Sequence, residues 1–233
     1  MQTDSSLYRT CVYPLAIFMA FSILLGIGGE CVEWDHPEAA WWRRAPEMVI
    51  YPAQTLVCGW WLWHVRREIR WDWNARACGW GVVLGVVGIG LWLLPYFAGW
   101  IPNNGGFQPE RIFGTGTAAT YAEYGMRFAR AVVVVPLVEE LFWRGFLMRW
   151  CINRDFPQTV PFGTHSWQAY GLTTLAFMLL HTPADYAGAI CYGSLAYLLV
   201  VKTKRLTAAV VMHAVANAIM GICAVSCDMP QLW

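Results

Sequence analysis

Residues 135–147 read Val135-Pro136-Leu137-Val138-Glu139-Glu140-Leu141-Phe142-Trp143-Arg144-Gly145-Phe146-Leu147. Apart from Glu139, Glu140 and Arg144 the stretch is apolar, and it continues the run that begins at Ala131. A helix that is hydrophobic all round is buried in a large core or in a bilayer. Composition decides between the two. The chain has 233 residues, 58% hydrophobic and only 13% charged, about half of the ~25% charged residues of a soluble domain. Fifteen tryptophans in so apolar a chain point to anchoring at membrane interfaces. A net charge of +1 offers no basic stripe, which excludes nucleic acid as a partner. The class is a polytopic membrane protein.

Stretches poor in charge set the layout, because a helix needs ~20 apolar residues to cross a bilayer core. They run over 10–29, 48–65, 77 to about 101, 131 to about 148, about 167–181, 186–201 and 206–227. The first has the position of a signal peptide but is too long and lacks an A-x-A-like cleavage site, so a retained helix is expected. Between the third and fourth lies a polar segment, 102–127, with Asn103-Asn104-Gly105-Gly106 as a turn signal. No repeat or long linker divides the chain. The expected fold is all-α: a polytopic transmembrane bundle of about seven spans forming one domain over 1–233, with a motif-bearing core at about 129–227. Placing the N-terminus in the cytoplasm puts ten cations inside (Arg9, Arg66, Arg67, Arg70, Arg76, Arg149, Arg154, Lys202, Lys204, Arg205). Five remain outside (Arg43, Arg44, Arg111, Arg127, Arg130), which sets the orientation. Seven spans then leave the C-terminus outside. The eight cysteines include no C-x-x-C pair and read as apolar filler, with Cys31 and Cys227 as the one pair near a common side.

Adjacent carboxylates inside an apolar span are costly and usually functional or paired. Glu140 and Arg144 are four apart, share a helix face and are expected to form an ion pair. Glu139 points roughly 100° away with no local cation. A desolvated carboxylate of that kind suits a general base. Two further apolar helices carry polar groups: His181 ends the fifth stretch, and His213 and Asn217, four apart, face one way within the last. His36, His64 and His165 read as interfacial. The fifth and sixth stretches reach only ~22–24 Å against a ~30 Å core. The link from His181 to Asp185 is therefore expected to turn inside the protein, where non-helical backbone lines a cavity.

E-E-x-x-x-R, F-x-x-x-H and H-x-x-x-N, in that order on three helices, resemble the CPBP family of intramembrane proteases, whose eukaryotic members process CAAX proteins. The run 135–147 and the closing Gln231-Leu232-Trp233 are similar to a bacterial subgroup, the CAAX prenyl protease-related proteins that accompany exosortase-type sorting systems. The resemblance implies an intramembrane endopeptidase acting near the C-terminus of a membrane-associated protein or peptide, lipidated or belonging to a sorting system, in a bacterial inner membrane. Glu139 would activate water and His181 would orient it. His213 and Asn217 would stabilise the oxyanion, with Glu140 and Arg144 in support. The family typically has eight spans, and here seven are read. No cofactor is expected, the alternative being zinc on Glu139, His181 and His213 with one position left for water. H-E-x-x-H is absent, and an Asn beside the second His suits an oxyanion donor better. Two other classes stand beside the enzyme: a non-catalytic immunity or assembly factor, and a haem or quinone carrier using the histidines. The enzyme reading makes a geometric demand. Glu139, His181, His213 and Asn217 should converge on one polar cavity opening to the cytoplasm, Glu139 within direct or one-water reach of His181, and Glu140 turned away towards Arg144.

Overall fold

The computed structural model describes residues 4–31, 38–103 and 105–233, the side chains of residue 4 and of 29–31 excepted. His36, Glu30, Glu33, Asp35 and the Cys31–Cys227 pairing therefore lie outside what is described. Every apolar stretch becomes helix. Helices α1 (Asp4–Cys11) and α2 (Tyr13–Cys31) form a pair bent by 43°, at the point where Pro14 withholds its N–H from the ladder. Then come α3 (Glu47–Val65) and α4 (Ala75–Phe97), the latter started by the Asn74 side chain, which accepts from the Ala77 N–H at 2.9 Å.

The fourth element, α5, is one continuous series of helical turns over 118–150. Regular α-helix at Ala118–Ala129, Val135–Glu140 and Met148–Trp150 is interrupted by wide π-turns at Arg130–Val134 and Leu141–Leu147. Pro136 accounts for the first, since its ring clashes with the carbonyl four residues back and it has no N–H to give. Such π-turns frequently sit at functional sites, and these two bracket Glu139 and Glu140. The helix begins thirteen residues before the charge-free run, at the Thr117 cap. Arg127 and Arg130 consequently lie within the bundle rather than in an outer loop. Arg127 sits 4.4 Å over the Tyr51 ring, and Arg130 donates through Nε to the buried Gln54 Oε1 at 2.6 Å.

Helices α6 (Trp167–Leu179), α7 (Tyr186–Thr203) and α8 (Leu206–Ser226) complete the bundle. Among the described residues three helical segments are long and apolar enough to cross a membrane, at 75–97, 183–203 and 206–226, and a fourth if the bent α1–α2 pair counts as one. The expectation of about seven spans therefore holds as helices but not as full-length crossings. With 13 residues, α6 rises only ~20 Å, and α5 carries its charges mid-helix. Two cores flank α5. Trp143 joins a cluster with Trp92, Phe177, Tyr192 and Met212, whereas Val138 and Leu141 join Leu7, Cys58 and Leu62. Helices α4 and α8 approach closely: a Cβ on Gly81 or Gly85 would fall 2.5 Å from the Ala208 carbonyl oxygen or 2.6 Å from that of Met212. Small residues of this kind let apolar helices associate in lipid. Apolar side chains cover the outside of this helical membrane bundle, with Trp100 and Trp167 74% and 78% exposed near its ends.

Candidate active site

Glu140 and Arg144 are each 1% exposed, and Arg144 Nε donates to Glu140 Oε2 at 3.3 Å. The other carboxylate oxygen accepts from His213 Nδ1 at 3.0 Å. A carboxylate can only accept, so His213 carries its proton on Nδ1 towards Glu140. Arg144 Nη2 also donates to the Gly193 carbonyl at 3.4 Å. Glu140 thereby ties α5 to α8 directly and to α7 through the arginine. The i,i+4 pair was legible in the sequence. The bond to His213, 73 residues away, was not, because no spacing rule reaches that far.

His181 follows the last turn of α6, and its Nδ1 donates to the Phe177 carbonyl at 2.8 Å. That carbonyl is among the last in the helix, where it accepts only a long 3.3 Å bond from the Leu180 N–H and keeps a lone pair for the imidazole. The F-x-x-x-H spacing places the imidazole to use it, and the Phe177 ring packs 4.6 Å from the imidazole centroid. Both histidines are thus oriented through Nδ1, which leaves Nε2 of each available. Asn217 donates through Nδ2 to the Ala131 carbonyl at 2.7 Å, in the first π-turn of α5. That uses one of its two amide hydrogens. Glu139 makes no ion pair among the described residues, and it accepts a long bond from Trp143 Nε1 at 3.4 Å.

Glu139, His181, His213 and Asn217 line one cavity of about 290 Å³. Trp92, Tyr96, Asp185 and Tyr192 line it too, and sequence reasoning gave none of these a role in the site. Three sit in apolar spans where a tryptophan or tyrosine carries no signal. Asp185 belongs to the link already expected to turn inside the protein. Buried Arg144 Nη1 and Tyr192 Oη have no protein partner, so the polar interior retains unmet hydrogen-bonding capacity.

Glu139 and His181 share the cavity, and among the described residues no direct hydrogen bond joins them, which leaves the one-water contact of the two that were expected. Glu140 does turn away from the cavity to Arg144, yet it also holds His213. The cavity sits among the last turns of α4 (Ile89, Trp92, Tyr96) and the later half of α8 (Ala216, Asn217, Met220), at the end away from Arg66, Arg149 and Lys204. It does not open beside the arginine-rich loops, because His181 lies at the far end of α6. As to zinc, no group of three or more His, Cys, Asp or Glu side chains is arranged to hold a metal ion among the described residues. Glu139, His181 and His213 do not fit a ligand set.

Residues 121–219 match the family model described as type II CAAX prenyl endopeptidase, Rce1-like. Over this segment, rather less than half of its length, the chain is similar to the CAAX endopeptidases, a family of proteases. The matched segment contains all seven residues of the three motifs, and the family it resembles is one of peptide-bond hydrolysis. No curated protein and no solved structure matches the chain.

Proposed function

We propose that this protein is an intramembrane endopeptidase of the CPBP family that hydrolyses a peptide bond near the C-terminus of a membrane-associated substrate by glutamate-activated water. The observation that carries the reading is the convergence of Glu139, His181, His213 and Asn217, from three parts of the chain, on one cavity inside an apolar bundle. Glu139, the carboxylate with no cation to satisfy it, takes a proton from water. His181, fixed through Nδ1, presents Nε2 to orient that water. As the hydroxide adds to the scissile carbonyl, the remaining amide hydrogen of Asn217 donates to the developing oxyanion, and so does Nε2 of His213, which does this as an imidazolium, its Nδ1 proton held by the Glu140 carboxylate. Glu140 and Arg144 hold His213 in register. Collapse of the tetrahedral intermediate returns the proton from Glu139 to the leaving amine. The low-dielectric surroundings strengthen each of these contacts.

Composition supports further readings of the same protein. The gathering of arginines at one end supports a cytoplasmic N-terminus, with the cavity towards the outer half of a bacterial inner membrane. The run 135–147 and the terminal Gln231-Leu232-Trp233 support the exosortase-associated subgroup and hence a substrate of a sorting system, lipidated or not, met within the lipid. The test is cleavage by purified protein in lipid nanodiscs of tail peptides, prenylated and unprenylated, read by mass spectrometry with and without a zinc chelator. A new C-terminus formed in both conditions supports the reading. Chelator-sensitive cleavage would favour the zinc form, and no cleavage of any peptide would favour a non-catalytic assembly or immunity factor.

A further inference from the structure

Asp185 occupies the N-cap position of α7, yet its side chain makes no capping hydrogen bond. Aspartate at that position ordinarily accepts from the N–H groups of the first turn. Here the carboxylate is committed elsewhere. Oδ1 accepts from Trp92 Nε1 at 2.8 Å and from Tyr96 Oη at 2.7 Å, and Oδ2 accepts from Thr182 Oγ1 at 2.7 Å. Two donors come from the last turns of α4, 93 and 89 residues away, and the third from the residue after His181. The Trp92 indole meets the His181 ring edge-on with centroids 5.0 Å apart. All these residues but Thr182's neighbours Pro183 and Ala184 line the same cavity.

We infer that Asp185 is a positioning residue: it clasps the turn 181–185 to the end of α4 and so fixes the face of His181 that addresses water. Phe177 sets one side of the imidazole through its carbonyl and ring. Trp92, held by Asp185, sets the other. A helix end that forgoes its own cap to reach another helix gives local stability up for placement. The inference rests on the protease reading for its effect on turnover, but the clasp has a readout that needs no substrate.

The experiment compares three variants of the full chain in nanodiscs. Asp185→Asn keeps an acceptor oxygen for Trp92 and Tyr96. Asp185→Ser is able to cap α7 but is too short to reach α4. Tyr96→Phe removes one hydroxyl and leaves the charge. A misplaced catalytic group costs about 10²-fold in rate, so Asp185→Ser should lower kcat by about that factor with KM nearly unchanged and shift the pH–rate profile. Asp185→Asn should stay within a few-fold of the parent, and Tyr96→Phe should fall between. In protein labelled with ¹⁵N-histidine, with the signal assigned by loss in His181→Gln, Asp185→Ser should move the His181 resonance and leave that of His213 in place. Equal activity of Asp185→Ser and Asp185→Asn, or an unmoved His181 resonance, would overturn the clasp. If Glu139→Gln still cleaves, the protease reading falls, and the His181 resonance still decides the clasp on its own.

Discussion

Two of the cavities in the bundle lie at opposite ends, and they differ in more than size. The larger, about 620 Å³, lies at the arginine-rich end and is lined by Glu68, Arg70, Asp72, Arg149 and Lys204 among others. Its charges are mostly spent: Glu68 pairs with Arg9 and accepts from Ser6 Oγ at 2.9 Å. Arg205 lies 3.7 Å from Asp72, Arg149 donates to the Gly145 carbonyl, and Lys204 donates to that of Gly163. These contacts join α1, the α3–α4 link and the α7–α8 turn, and they stitch helix ends together. The smaller cavity, about 290 Å³, is lined by groups held on one side and open on the other. His181 and His213 are fixed through Nδ1, Asn217 through one amide hydrogen, and Glu139 is left without a cation. Volume does not mark the reactive end; preorganised groups with capacity left over do.

The contrast breaks most visibly at Glu139. Glu139→Gln keeps the shape of the side chain but cannot take a proton from water. It should lower kcat by about 10³-fold while the midpoint of thermal unfolding in detergent stays at the parent value. Retained turnover would return Glu139 to a structural role.

Next comes the buried clasp. Arg144→Ala leaves Glu140 with His213 alone and should cost about 3–5 kcal/mol of stability, measured by unfolding in mixed micelles. Replacing Glu140 and Arg144 together by leucine should recover part of that loss yet stay inactive, because His213 then has nothing to orient it. An unchanged midpoint for Arg144→Ala would contradict the clasp.

Gly85→Ala tests the scaffold that both ends share. Its Cβ would sit 2.6 Å from the Met212 carbonyl oxygen, so α4 and α8 must part. Overpacking of this kind costs about 1–3 kcal/mol. Because Met212 adjoins His213, turnover should fall with stability.

The smallest effect belongs to the arginine-rich end. Burial pushes the Glu68 carboxyl up, but hydrogen bonds from Ser6 and Arg9 outweigh it and hold the group below the ordinary value of 4.5. A depressed carboxylate stabilises the fold above its unfolded value, and that contribution is lost as pH falls through the folded one. The pair is partly exposed, so the gain should be under about 1 kcal/mol. Glu68→Gln should flatten the loss of thermal stability below pH 4.5 and leave cleavage at neutral pH within about twofold. A large loss of cleavage would make the larger cavity part of the site.

The same contrast shows what was legible in the sequence. Local spacing revealed Glu140–Arg144 and the shared face of His213 and Asn217, because both follow helical periodicity. The apolar runs located the long helices α2 to α8, and the gathering of cations marked one end. Contacts across the bundle were not legible. Asp185 read only as the end of a link turning inside the protein, and only the fold brings Trp92 and Tyr96 to it. The start of α5 was missed because Arg127 and Arg130 interrupt the apolar run, and their burial depends on Tyr51 and Gln54 of another helix. The side on which the cavity opens failed for a related reason: depth counted along single helices does not show at which end of α6 His181 must lie.

The central claim is that Glu139 activates water without being attacked itself, and single-turnover hydrolysis in H₂¹⁸O tests it most directly. With enzyme in excess over a cleavable tail peptide, one ¹⁸O should enter the new C-terminal carboxylate, and the tryptic peptide carrying Glu139 should gain none. Recovery of ¹⁸O in Glu139 would show attack by the carboxylate and an acyl-enzyme anhydride, and would contradict the account.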